Sequence, residues 1–198
     1  MKCQNVREIL IQRTVTVIAT EGLDKTTTKA IVAGTGINEA YIYRHFDGKV
    51  DLLAKTFDAL DSELASKVMQ NCEVMNLPLL ECEIRCRLFF TAIWEFLLSH
   101  QEKCLAYVRY YYSPYFRKYS ADAHKQRYGV LVTHLSPAFR EVATVWMILN
   151  HILNVMLDFA VKVFNREMPE NDDYTEHVFR VIYASIRQYF KSKGEGCA

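Results

Sequence analysis

The chain has 198 residues, 51% apolar and 24% charged, with 7 glycines and 4 prolines, which excludes disorder, collagen-like repeats and low complexity and leaves a globule with a real core. Lys and Arg number 24 against 23 Asp and Glu, a formal net charge of +1, so no global basic field marks it for nucleic acid or an anionic membrane. Binding to either has to be local. The run from Met1 to Thr14 has polar residues where a signal peptide needs an apolar core, and Leu88 to Leu98, read as the most apolar stretch, is broken by Glu95 and too short to cross a bilayer. These features predict a cytoplasmic protein with no membrane partner, whose six cysteines (3, 72, 82, 86, 104 and 197) stay reduced.

Helix one is expected over Arg7 to Glu21, with Ile9, Leu10, Val17 and Ile18 on one side, and ends at Gly22, a cheap left-handed residue. Thr26, Thr27 and Thr28 can cap a short second helix, Lys29 to Ala33, which the turn Gly34-Thr35-Gly36 closes. Asn38 can cap a third, Glu39 to Phe46, before Asp47-Gly48 and a long fourth helix with the ladder Val50, Leu53, Phe57, Leu60, Leu64, Val68. Two short helices joined by a glycine turn make a helix-turn-helix. Eight helical residues span about 12 Å, comparable to the width of the major groove of B-DNA. Lys29 and Lys49 fall in the first turns of helices two and four, where the dipole disfavours a cation unless an anion such as a phosphate joins it. Ile31, Ile37, Ile42 and Phe46 read as core. Charge agrees weakly: residues 1–55 hold 8 basic and 6 acidic residues, and the remainder 16 and 17.

The stretch from Gly22 to Leu53 resembles the DNA-binding signature of the TetR family of transcriptional regulators, most specifically in Tyr43-Arg44-His45-Phe46 followed by Lys49 and Leu52-Leu53. By that resemblance Thr28, Tyr43, His45 and Lys49 would hold phosphates, while Lys29, Ala40 and Tyr41 would approach bases. Thr27, Asn38 and Arg44 complete the expected DNA-binding set. Arg13 stands where a small residue is common, and Val32 and Thr35 replace the more usual alanines. Breaker spacing, ordinary helix lengths and the absence of a competing period-two segment predict an all-α fold of about nine helices. Residues 1–50 would be the helix-turn-helix domain, and residues 51–198 a helical domain for effector binding and dimerisation.

Beyond residue 56 the ladders Leu79–Leu98, Leu105–Tyr112, Val142–Val163 and Tyr174–Phe190 predict further helices. The last two carry apolar residues on two faces, one for the core and one for a second copy, because charged residues are sparse between 142 and 161. Seven aromatics crowd Tyr107 to Tyr119, with Arg109, Arg117 and Lys118 among them. They can stack on nucleotides, wall an effector pocket or simply form helix core. Effector candidates are Phe90, Trp94, Tyr107, Tyr110, Tyr111, Trp146, Met147 and His151.

Cys82 and Cys86 share a helix face and could sense oxidants or bind metal, with plain structural cysteine as the working reading. No CxxC, HxxxH or HExxH, nucleophile elbow, phosphate loop or dinucleotide fingerprint occurs, so no catalytic residue, metal or cofactor is expected. The expected function is that of a repressor: a homodimer, joined through its two C-terminal helices, that binds a palindromic double-stranded DNA operator and is released by a small-molecule effector. The alternative is an effector-independent DNA-binding scaffold or partner-binding protein.

Overall fold

The computed structural model describes residues 3–191, with side chains from Val6 onward, so Cys197 and the thiol of Cys3 lie outside the described residues. Among the described residues ten α-helices follow one another: α1 (Cys3–Glu21), α2 (Thr28–Val32), α3 (Ala40–His45), α4 (Lys49–Asn71), α5 (Cys82–Ser99), α6 (Gln101–Tyr111), α7 (Pro114–Tyr119), α8 (Ala121–Leu135), α9 (Val142–Phe164) and α10 (Asp172–Ile186). Short 3-10 turns occupy Cys72–Asn76, Ser136–Ala138 and Arg187–Tyr189. The all-α expectation holds, with one helix more than the nine anticipated. Ser113-Pro114 starts α7, where a proline ring at the first helical turn costs no hydrogen bond, and Gly129 sits inside α8 without breaking it.

One boundary moves. The apolar ladder of the final helix predicts helix to Phe190, but α10 ends at Ile186 and the chain turns to pair with residues 138–140. The Arg140 amide donates to the Tyr189 carbonyl at 2.9 Å and the Lys191 amide to the Ala138 carbonyl at 3.1 Å. Phe139 and Phe190 then meet at 4.5 Å between ring centres. Phe190 is therefore buried by an extended strap, the one β-bridge among the described residues.

The chain folds as two compact units, and α4 and α8 each run from one into the other. The first unit comprises the chain up to Glu63 together with His100–Lys125. Its helix-turn-helix end is held by a cluster of Val6, Leu10, Ile31, Ile37, Ile42, Phe46 and Leu52. Arg13, the departure noted in helix one, donates to the Ala33 carbonyl at the end of α2, 3.2 Å away. At the other end of α1, Arg109 of α6 donates to the carbonyls of Ile18 and Ala19, at 2.6 and 2.7 Å. Those carbonyls lie in the last turn of a helix that carries no basic residue of its own there.

The second unit, Leu64–Ser99 and the chain from Gln126 onward, packs α5 against α9 and α10. Arg87 of α5 lies over the Phe179 ring of α10, 4.1 Å from its centre, and pairs with Glu176. Trp94 donates its indole N–H to Thr175 at 3.1 Å. By length and composition α9 is apolar enough to cross a bilayer, with a mean hydropathy of 1.5, a candidate that attention to the shorter stretch Leu88 to Leu98 passed over. Its packing against α5 and α10, which buries nine of its side chains, accounts for that apolarity.

Candidate nucleic-acid interface

The turn from α1 to α4 is built by short-range hydrogen bonds that the local sequence supplies. Thr26, fully buried, returns its hydroxyl to the Gly22 carbonyl at 2.7 Å, and so belongs to the scaffold. Thr27 caps α2, its Oγ1 accepting from the Ala30 amide at 3.1 Å. Between α2 and α3, Gly34 and Gly36 take φ of 74° and 70°, a left-handed conformation that other residues enter at a cost. Thr35 locks that turn: its hydroxyl donates to the Val32 carbonyl at 2.7 Å and accepts from the Ile37 amide at 3.0 Å. Thr35 in place of an alanine thus adds a turn lock. Asn38 accepts from the Ala40 amide at 2.9 Å, which aims the chain into α3.

These constraints decide what α3 presents. Ile42 is fully buried and Phe46 nearly so, whereas Tyr41 is 40% and Tyr43 66% exposed. Ala40 and Arg44 also face solvent, and His45 is half-buried with its ring stacked on Tyr41 at 6.4 Å. Six helical residues give α3 a length of about 9 Å, shorter than expected yet still suited to a major groove. Around it, Thr27, Lys29 and Asn38 are exposed and Thr28 and Lys49 half-buried. All ten expected DNA-contacting residues therefore lie on the helix-turn-helix and keep access to solvent, while all four residues read as core are inside. Lys49 opens α4, where Asp51 accepts from the Asp47 amide at 3.1 Å.

Residues 10–56 match the sequence model of the bacterial regulatory proteins of the tetR family. That stretch belongs to the TetR family. The TetR-type module thus accounts for about a quarter of the chain, and solved structures carry the likeness through the rest of the fold. A TetR family transcription regulator from Marinobacter aquaeolei VT8 superposes with a TM-score of 0.74 at 14% identity, covering 93% of this chain and 98% of that one. The multidrug binding protein EbrR complexed with imidazole gives 0.65 at 13% identity, with 89% and 93% covered. The fatty acid degradation regulator FadR from Bacillus halodurans gives 0.65 at 16%, with 88% and 96% covered. No curated protein matches at the level of sequence.

The effector candidates divide between the units. Tyr107, Tyr110 and Tyr111 belong to the first, and Phe90, Trp94, Trp146, Met147 and His151 to the second. Tyr110 is buried, stacked on Phe57 at 4.7 Å, its hydroxyl bonded to Ser120 at 3.1 Å. Burial pushes the Tyr110 and Tyr111 hydroxyls up, so both stay neutral. Phe90 and Trp94 are stacked inside the second unit at 5.8 Å. Met147 and His151 face solvent, the latter 3.0 Å from the Ser185 hydroxyl of α10. A cavity of about 30 Å³ in this unit is walled by Cys86, Phe89, Phe139, Ile148, Ile152 and neighbours, and none of the eight candidates lines it. Two features escaped the sequence reading. Arg109, grouped there with stacking residues, caps α1. Asp61, fully buried, accepts from the Tyr107 hydroxyl at 3.1 Å and contacts His124 Nδ1 at 2.9 Å. Its signal was a carboxylate inside the apolar ladder of α4, beside Leu60 and Leu64.

Proposed function

We propose that the chain is a transcriptional repressor that binds a palindromic operator as a homodimer and leaves it when a small effector binds. The observation that carries this reading is the outward row of Ala40, Tyr41, Tyr43 and Arg44 on a helix whose opposite side, Ile42, is sealed in the core. Such a helix offers hydroxyls, a guanidinium and aromatic edges to a groove without exposing its own core. Thr28, Tyr43, His45 and Lys49 take phosphates, and Lys29, Ala40 and Tyr41 approach bases. Residues 1–50 serve as the DNA-binding domain and 51–198 as the effector and dimerisation domain. The protein works in the cytoplasm, as a regulator and not as an enzyme.

Dimerisation through α9 and α10 is supported by their outward apolar residues, Val142, Met147 and Val181, exposed by 63%, 54% and 56%. Likeness in fold to a multidrug binding protein and to a fatty acid degradation regulator supports a small-molecule effector. The second reading, a scaffold that ignores small molecules, draws on the packing of the candidates Phe90, Trp94 and Tyr110 inside the fold. Selection of bound duplexes from a random pool is expected to enrich inverted repeats whose halves lie about one helical turn apart. Enrichment of no palindrome would overturn the operator reading. With that operator in hand, a thermal-shift screen of metabolites and drugs separates the two readings. An effector raises the melting temperature and weakens operator binding, while a scaffold responds to nothing.

A further inference from the structure

The short helix α7 has no part in the operator reading, yet the fold orders the aromatic residues around it. Phe57, Tyr110, Tyr115 and Tyr119 form a file of rings, with consecutive centres 4.7, 6.4 and 6.4 Å apart and planes within 26° of parallel. The file starts in the core, where Phe57 and Tyr110 are buried, passes the half-buried Tyr115 and ends at the surface on Tyr119, which is 47% exposed. Phe116 packs against Phe57 at 5.4 Å and Tyr111 at 4.5 Å. Six residues make no stable helix alone, and the rings of Tyr115 and Phe116 pin this one by a single side. Lys118 lies over the terminal ring, its Nζ 5.1 Å from the centre of Tyr119. Across Ser113-Pro114, at the end of α6, Tyr112 is 70% exposed.

Charge on the same corner is one-sided. Residues 103–121 hold Lys103, Arg109, Arg117 and Lys118 and no acidic residue, and beyond them come Asp122 and Lys125. Lys103 is taken up by Glu63 and Arg109 by the carbonyls of α1. Arg117, Lys118 and Lys125 face solvent, and among the described residues none of the three is in an ion pair. Uncompensated cations thus flank the open end of a ring file. A nucleotide satisfies both features, its base stacking on the ring and its phosphodiester meeting the cations. An acidic peptide would use the cations and leave the Tyr119 face idle, and a duplex keeps its bases stacked on one another. An open surface with two exposed tyrosines and three cations suits a strand that spans them, whereas a free nucleotide needs an enclosing pocket.

We propose that α7 and the turn before it form a binding surface for single-stranded nucleic acid, with a base stacked on Tyr119 and its phosphates on Arg117 and Lys118. Lys118 leaves the Tyr119 face as the base arrives and turns to the phosphate. Tyr112 offers a second ring to a neighbouring base, and Lys125 extends the phosphate track into α8. Binding of this kind reads no sequence, because every base has a π-face. The surface lies outside the helix-turn-helix and uses none of its ten expected DNA-contacting residues.

The test is fluorescence anisotropy of a labelled single strand of about 12 deoxyadenosines, titrated with the full chain at low salt. The parent is expected to bind, Tyr119→Ala to weaken binding by at least about fivefold, and Tyr119→Phe, which keeps the π-face, to retain it. Arg117→Gln and Lys118→Gln together should reduce the log-log salt slope by about 1.4 units, at about 0.7 for each phosphate of a single strand. Both cations are exposed, so this double variant keeps the fold and decides the matter should Tyr119→Ala be unstable. A parent that leaves the strand free, an affinity that a folded Tyr119→Ala does not change, or a salt slope that the double variant does not change would overturn the proposal. Displacement of the strand by adenosine monophosphate at equal nucleotide concentration would also overturn it, by making the site one for a free nucleotide. The measurement uses no duplex and stands apart from the operator reading.

Discussion

Lys49 and Tyr41 sit a few residues apart on the same module, yet the proposed function gives them different work. Lys49 opens α4 half-buried, its charge held beside a helix start, whereas Tyr41 projects from the open side of α3. A phosphate contact carries no base information, so Lys49→Ala is expected to weaken binding to every duplex alike and to reduce the log-log salt slope by about one unit. Tyr41→Ala should instead change which bases are preferred. Titrations of a selected operator and its single-base variants at several salt concentrations measure both. An unchanged slope would remove Lys49 from the phosphate set.

Between helices, a few side chains do what helix propensity does not. The last turn of α1 has no basic residue of its own, and although the Ile18 carbonyl already accepts from the Gly22 amide at 3.1 Å, Arg109 reaches in from α6 with two hydrogen bonds, to Ile18 and Ala19, at 2.6 and 2.7 Å. A cation there also meets the negative end of the helix dipole. Arg109→Ala should cost about 1–2 kcal/mol in urea denaturation, as expected for charge-assisted hydrogen bonds at a partly open site. A loss under about 0.3 kcal/mol would make the contact ornamental by the standard of surface pairs.

The link between α5 and α10 is electrostatic as well as apolar. Arg87, and then Arg180 at 2.8 Å, hold the Glu176 carboxyl down to about 2, well below the ordinary value of about 4.3. A depressed carboxylate contributes stability above its unfolded value and loses it as the pH falls through the folded one. The advantage of the parent over Glu176→Gln in denaturation midpoint should therefore be constant above about pH 5 and shrink as the pH falls toward 2. A pH-independent difference would sever the ion pair from stability.

For the whole molecule, the outward apolar residues of α9 and α10 are the feature the monomer leaves unexplained. Val142, Met147 and Val181 are all more than half exposed, though single exposed apolar side chains are ordinary and only the grouping on two adjacent helices asks for a partner. Placing Met147→Glu and Val181→Glu together should leave the helical content and melting of the monomer intact, because neither side chain is in the core. Sedimentation velocity is expected to show the parent as a dimer and the double variant as a monomer. A parent that sediments as a monomer at micromolar concentration would refute the interface.

Local sequence determined the helix-turn-helix module almost completely. Gly22, Thr27, Gly34, Gly36, Asn38 and Gly48 act through bonds spanning no more than four residues or through their own φ, so the ends of α1, α2 and α3 follow from neighbours in the chain. The split between Ile42 inside and Tyr43 outside was legible for the same reason, since helical period alone sorts them. Elsewhere pattern could not choose. The final ladder runs through Phe190 with helical spacing, but tertiary pairing with Phe139 ended α10 at Ile186. Aromatics from Tyr107 to Tyr119 looked alike as a string, yet some are core and Tyr112 is 70% exposed, because their burial depends on Phe57 and Asp61 of a helix some fifty residues earlier. The contacts of Arg109 and Asp61 likewise join residues distant in the chain. Periodicity reports which side of a helix is apolar, and only the packed structure decides what that side meets.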